Sequence, residues 1–435
     1  MHSVWTETAE LPRFGALEKS MDTDVLVIGG GVSGILCAHA LQKAGVEYVL
    51  VEADRICGGI TKNTTAKITS QHGLIYRKML RRFGKTKTAL YLEANEKALN
   101  TYRELARSMD CDFEERDAFV YSLRDRAKIE REVDALRSVG YPAEWKDKIE
   151  LPFPVAGAVM FPRQAQFHPL KFLGAVARDL NIYENTKVRE MVGTVAVTER
   201  GTIRAKKVIV ATHFPFLNKH GAYFMKMYQH RSYVVALENA EPVDGMYIDE
   251  AAGGLSFRTC GGLLLLGGGG HRTGKQGGNW GELELFAEKN YPNAAVKYRW
   301  ATQDCITLDD IPYIGRYSPA TPNLYVATGF GKWGMTTAMV AAKLLADRIA
   351  GKESRYAEVF SPERSILRPR LASNAGEAVL DLLTPTAPRC PHLGCALKWN
   401  AEEHSWDCPC HGSRFAEDGN LIDNPATADL DLRRK

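Results

Sequence analysis

A short apolar run from Asp24 to Ile28 leads into a glycine-rich turn, Gly29 to Gly34, and then into a helix-like stretch, Ile35 to Ala44, which Gly45 stops. Tyr48 to Val51 is a second buried-strand pattern, ending at Glu52. Strand, helix and strand in that order predict a βαβ unit opening a doubly wound domain. Residues 76–138 are rich in Leu, Ala, Glu, Lys and Arg at helical spacing and predict long amphipathic helices. Prolines punctuate the chain from Pro142 to Pro169. Polar and apolar positions then alternate from Lys187 to Thr212, predicting strands that end in Val208 to Thr212. Further strands are expected at Arg231 to Leu237, Leu263 to Leu266 and Leu324 to Ala327, with a glycine turn at Gly329 to Gly334 and a helix from Thr336 to Ala350. Glu363 to Pro388 reads as a linker with one short helix around Ala375 to Leu383, and a separate cysteine-rich unit follows.

Composition narrows the class. The chain has 435 residues, enough for two or three domains, with 45% hydrophobic and 25% charged residues, as in an ordinary globular protein. A net charge of +4 gives no argument for nucleic acid or an anionic membrane as partner. The basic run Lys78 to Lys87 mixes with apolar residues and reads as a solvated helix face. The hydropathy predicts no transmembrane helix. The first 21 residues carry Glu7, Glu10 and Glu18 without an apolar stretch, so no secretory signal is expected and the cytoplasm is the expected location. Of nine cysteines, Cys37, Cys57, Cys111, Cys260 and Cys305 are scattered, while four crowd between Cys390 and Cys410. In a cytoplasmic chain that cluster points to metal or redox chemistry.

Gly29, Gly31 and Gly34 form GxGxxG. The first permits a tight turn, the second lets backbone approach a pyrophosphate, and the third allows close helix–strand packing. The helix N-terminus then offers free N–H groups to phosphate anions. Glu52, at the end of the next strand, can accept hydrogen bonds from ribose hydroxyls. The motif alone leaves NAD open. Two other segments favour FAD. Val208 to Thr212, with Ala211 and Thr212 at its end, resembles the strand closing the FAD domain of large flavoproteins. Asn323 to Gly334, with Gly329, Gly331, Trp333 and Gly334, resembles their C-terminal flavin loop, where a helix N-terminus would stabilise the anion of reduced flavin. With Gly58, Gly59, Thr64 and Thr65, these segments resemble the D-amino-acid oxidase and sarcosine/glycine oxidase superfamily over roughly residues 22–350. The resemblance implies an α/β, Rossmann-like FAD-binding domain of glutathione-reductase type, formed by 1–75, 146–215 and 301–362. It is interleaved with an α+β substrate domain, 76–145 and 216–300.

The second constellation is Cys390, His392 and Cys395, then Cys408, Cys410, His411 and Ser413. It resembles the Rieske signature, C-x-H followed by C-x-x-H. The resemblance implies a small all-β module at 388–435, after a linker at 363–387, pared to its cluster-binding part and leaning on the flavin domain. Cys390 and Cys408 would hold one iron of a [2Fe–2S] cluster, and His392 and His411 the other. Neutral imidazoles raise the potential to about −150 to +300 mV, so the cluster would accept electrons from reduced flavin. Cys395 and Cys410 match the disulfide pair of such proteins, Ser413 the serine that donates to a cluster sulfur, and Asn424 to Ala426 the proline loop over the cluster. The usual tyrosine after that serine is Phe415 here, which predicts one hydrogen bond fewer and a somewhat lower potential. A Cys2His2 zinc site is the alternative, and C-x-H is a poor spacing for it.

Candidate substrate residues come from the same resemblance. His271, after the run Leu263 to Gly270, matches a histidine over the flavin in sarcosine oxidases. Their oxygen-activating lysine, four residues earlier, aligns with Gly267, which fits a dehydrogenase. Arg258 would bind a substrate carboxylate or sit as a surface arginine. His168 would face the flavin or cap a helix. Cys305 differs in offset from cysteines that attach flavin, so FAD is expected to be noncovalent. Tyr233 is core or pocket wall, and Cys37 a packed thiol. The expected enzyme takes hydride from carbon beside an amine nitrogen of an amine or amino-acid substrate. Electrons then pass through the Rieske cluster, by its exposed histidine edge, to an external carrier. Reverse flow, or a non-catalytic redox carrier, are the alternatives.

Overall fold

The computed structural model describes residues 2–365, 369–385 and 388–432. Residue 1, residues 366–368 and 386–387 of the expected linker, and residues 433–435 of the expected module lie outside the described residues. The first sheet runs Tyr313–Arg316, Leu324–Thr328, Thr202–Val210, Met21–Ile28, Tyr48–Val51, Ile182–Tyr183. Its central pairings are parallel. Leu26, Val27, Ile209 and Val326 are wholly buried, the pattern of strands covered on both faces. Helices Val32–Lys43 and Gly334–Ile349 pack against one another over this sheet.

The second sheet has nine strands and is mostly antiparallel. From one edge it runs Ala295–Thr307, Met227–Glu238, Leu263–Arg272, Ser256–Cys260, Met246–Asp249, Glu114–Ser122, Gly157–Gln166, Lys67–Ile68. Two expectations change here. The helical stretch 76–138 is Ile75–Ala106, interrupted at Gly84 (φ 76°), and Arg126–Ser138, with the strand Glu114–Ser122 between them. That strand buries Ala118, Val120 and Tyr121 behind an acidic start that resembles a helix face. Gly157–Gln166, expected within the FAD-binding segment 146–215, pairs with Glu114–Ser122 in the second sheet, as Lys67–Ile68 from segment 1–75 also joins it. Ala295–Thr307 runs across the expected boundary at 300/301.

The tail forms a four-stranded antiparallel sheet, Lys398–Asn400, Ser405–Asp407, Arg414–Ala416 and Leu421–Asp423. Its core is Cys390, Cys395, Leu397, Cys408, Cys410, Phe415, Ala426 and Leu430. Half of these are cysteines, so apolar burial alone gives this unit little. Polar contacts compensate. Arg414 pairs with Glu403 (2.9 Å), Asp407 (2.9 Å) and Asp423 (3.2 Å), and Glu403 also pairs with Arg231 of the second sheet. No described helix is long and apolar enough to cross a membrane.

Candidate functional site

A cavity of about 780 Å³ runs from the glycine turn to the second sheet. That volume suits a cofactor site. Gly29 has φ 110°, and a Cβ there would come within 2.6 Å of the Ala211 carbonyl. Gly34 lies directly on the Gly29 carbonyl, where no side chain fits. Gly31 is the N-cap of Val32–Lys43 and offers no capping side chain. Trp333 likewise precedes Gly334–Ile349 without a side-chain cap. Two helix N-termini thus meet the cavity without N-cap side chains, although Thr61 Oγ1 accepts from the Val32 N–H (3.0 Å), and their positive ends suit an anionic dinucleotide. Glu52 accepts from the Gly30 N–H (2.6 Å) and the Asp54 N–H (3.0 Å), and burial raises its carboxyl above the usual range. Gly29, Gly31, Glu52, Ala211, Thr212, Gly329, Gly331, Trp333 and Gly334 line the cavity, while Gly34 packs behind it.

The three expected substrate residues lie elsewhere. His168 is the N-cap of Pro169–Ala177, where Nδ1 accepts from the Lys171 N–H (3.2 Å) and Nε2 meets Thr8 Oγ1 (2.8 Å). Proline at the following position favours that helix start, and the cap occupies the ring. Arg258 is buried and donates to the carbonyls of Thr65 and Ala66, both at 2.8 Å, so it braces backbone instead of binding substrate. His271 stacks on Tyr233 and sits against Gly277, with Nδ1 3.0 Å from the Gly269 carbonyl, so its ring does not line the cavity. Tyr233 is both core and cavity wall.

His230, Ser232, Asp304, Lys332 and Lys67 line the cavity in their place. Lys332 Nζ donates to Ser232 Oγ at 3.1 Å. A Cβ on Gly270 would meet the Ala252 carbonyl at 2.6 Å, the His230 ring at 2.8 Å and Lys332 Nζ at 3.2 Å, so glycine is what leaves this space open. Burial, then the charge of Lys332, pushes His230 down to about 3, keeping it neutral. Burial, then Arg258, pushes Lys67 down to about 7.

The strand Met227–Glu238 has two working faces. Tyr228, His230 and Ser232 line the cavity. Between them, Gln229 Nε2 donates to the carbonyls of His411 and Asn424, both at 2.9 Å, and Arg231 Nε donates to Glu403 (2.7 Å). The neighbouring strand repeats this alternation. Thr302 and Asp304 line the cavity, while Gln303 Nε2 donates to the Gly412 carbonyl and to Gln229 Oε1, both at 2.8 Å. Arg272 donates to the carbonyls of Pro409 (2.9 Å) and Cys410 (3.1 Å). The flavin cavity and the cysteine–histidine loops therefore occupy opposite sides of one pleated layer. These anchors went unnoticed in the sequence. Their signal was a buried strand polar at both odd and even positions, Tyr228 to Ser232.

In those loops, the His392 and His411 rings are 5.1 Å apart, and the Nδ1 atoms of both are buried without a hydrogen-bond partner. A hydrogen bond with Cys408 draws the Cys390 thiol down, helped by the backbone N–H groups of His392 and Leu393. Burial pushes His392 to about 4 and His411 to about 3, so both imidazoles are neutral. Two orphan imidazole nitrogens in the same loops as the hydrogen-bonded Cys390 and Cys408 fit a Cys2His2 cluster. Cys395 and Cys410 are joined in a disulfide, which removes their sulfurs from the ligand set. Ser413 Oγ accepts from the Ala426 N–H (3.0 Å) and bonds Cys390. The expected open histidine edge is covered by the chain at His411, while His392 stays partly exposed. His411 is 5% exposed against Phe214 and Phe224, and His392 Nε2 bonds Asn218 Oδ1 (3.0 Å).

Comparison with known proteins agrees with both halves. Residues 24–348 match the FAD dependent oxidoreductase family, and residues 382–432 match the Rieske [2Fe-2S] domain. The chain is 35% identical to the Rieske 2Fe-2S iron-sulfur protein YhfW of Bacillus subtilis (strain 168), over 98% of this chain and 96% of that one. It is 25% identical to gamma-glutamylputrescine oxidoreductase of Escherichia coli (strain K12), over 79% of this chain and 87% of that one. Glycine oxidase from Geobacillus kaustophilus shares the fold with a TM-score of 0.66 at 20% identity, covering 79% of this chain and 99% of that one. The chain belongs to the FAD dependent oxidoreductase family and carries, beside its FAD, the [2Fe–2S] cluster of a C-terminal Rieske domain.

Proposed function

We propose that the chain oxidises the C–N bond of an amine or amino-acid substrate and delivers the electrons through the Rieske cluster to an external carrier. The observation that carries this reading is the alternation from Tyr228 to Ser232, which sets the cavity and the cluster loops on opposite faces of one sheet. When bound, FAD supplies the hydride acceptor and the cluster a one-electron relay. The protein does the rest. Gly270 keeps the substrate space open, and Lys332, held by Ser232, brings its amine into it. Lys67, titrating at about 7, can take the proton that a substrate ammonium must lose. Gln229 and Gln303 hold the ligand loop against the sheet. An anaerobic screen of amines and amino acids tests this. A true substrate reduces flavin absorbance and raises the reduced-cluster EPR signal together. Flavin bleaching with an EPR-silent cluster would refute the relay.

A further inference from the structure

The Rieske domain does more than dock behind the flavin cavity; it supplies part of its wall. Ile422, Asp423, Asn424, Ala426 and Thr427 line the same cavity as Gly29 and Glu52. This strap is pinned on both sides. Asn424 Nδ2 donates to the carbonyls of Thr212 (2.7 Å) and Phe214 (2.8 Å), immediately after Ala211, on which Gly29 packs. Lys187 Nζ donates to the Thr427 carbonyl (3.2 Å), next to Thr186, whose N–H bonds the Glu52 carbonyl (2.8 Å). The strap is tied equally firmly to the cluster side. The Asn424 carbonyl accepts from Gln229, and the Ala426 N–H donates to Ser413, which bonds Cys390.

We propose that the FAD site is composite: the segment 421–427 of the Rieske domain closes the dinucleotide cavity, so FAD affinity and seating of the cluster domain are one linked equilibrium. A wall shared by two ligands must transmit each one's binding to the other by the same factor. The inference does not depend on which substrate is oxidised or on the direction of electron flow.

The test uses the full, cluster-loaded chain stripped of FAD and titrated with FAD by flavin fluorescence. Gln229→Met and Glu403→Gln loosen the domain from opposite ends, and neither residue lines the cavity. A composite site raises the FAD Kd about fivefold or more in each variant, the effect of losing one buried hydrogen bond. Glu417→Ala, exposed on the outer face of the domain, leaves Kd unchanged. The reciprocal measurement needs no variant: saturating FAD slows loss of iron from the unmutated protein to a chelator. An FAD Kd within twofold of the unmutated value in both variants, or iron loss indifferent to FAD, overturns the proposal.

Discussion

The flavin-binding body and the Rieske domain solve the same packing problem with different means. The body buries long apolar runs such as Val25 to Ile28 and Val208 to Val210 between helices and sheet. The Rieske domain has a core of eight buried residues, four of them cysteines, and is otherwise held by arginine–carboxylate pairs and side-chain bonds to backbone. A unit too small to fold on apolar area alone can still be specified if its ligands and ion pairs are satisfied, but it then fails when any one of them is lost.

The sharpest break in that contrast is Cys408→Ser. It is expected to abolish the cluster and unfold the tail while the body keeps its own thermal transition, so that calorimetry of the variant shows the body's event alone. Arg414→Met comes next. It leaves buried Asp407 without its arginine, takes one of two arginines from Glu403, and is expected to cost the tail about 3–5 kcal/mol in denaturant unfolding. Acid acts on the same network. Burial alone would raise Glu403, but Arg231 and Arg414 hold it down to about 2. A depressed carboxylate contributes stability above its ordinary pKa and loses it as pH falls towards the folded value. The tail should therefore loosen between roughly pH 4.5 and pH 2, read as faster proteolysis there than in the body. Cys395→Ser opens a link between positions 15 residues apart and is expected to cost about 3 kcal/mol, read by tail unfolding with and without reductant. His168→Ala is the smallest, about 1 kcal/mol of body stability from a lost helix cap, with FAD Kd unchanged.

Legibility in the sequence followed locality. Gly29, Gly31 and Glu52 belong to one continuous βαβ unit, and the spacing of Cys390, His392, Cys408 and His411 reflects two short loops, so both sites could be read directly. Substrate-side residues depend on which way a side chain leaves a strand. His271 and Arg258 lie on the strands Leu263–Arg272 and Ser256–Cys260 but turn towards Gly277 and the Thr65 carbonyl. Lys332 enters the cavity from a loop in which the glycines and Trp333 alone carried a signal. The strand Glu114–Ser122 was hidden because it opens on four consecutive charged residues, Glu114 to Asp117, inside a helix-rich stretch. Gln229 and Gln303 needed the tail's position before their burial made sense.

The two-sided strand Met227–Glu238 has one more consequence. Its side chains leave in alternate directions, so deleting or inserting a single residue ahead of His230 would send Gln229 and Arg231 towards the dinucleotide and His230 and Ser232 towards the iron ligands. A point change removes one contact at a time, whereas a frame slip ruins both faces together. Natural variation in this strand should therefore accumulate as replacements and not as changes in length.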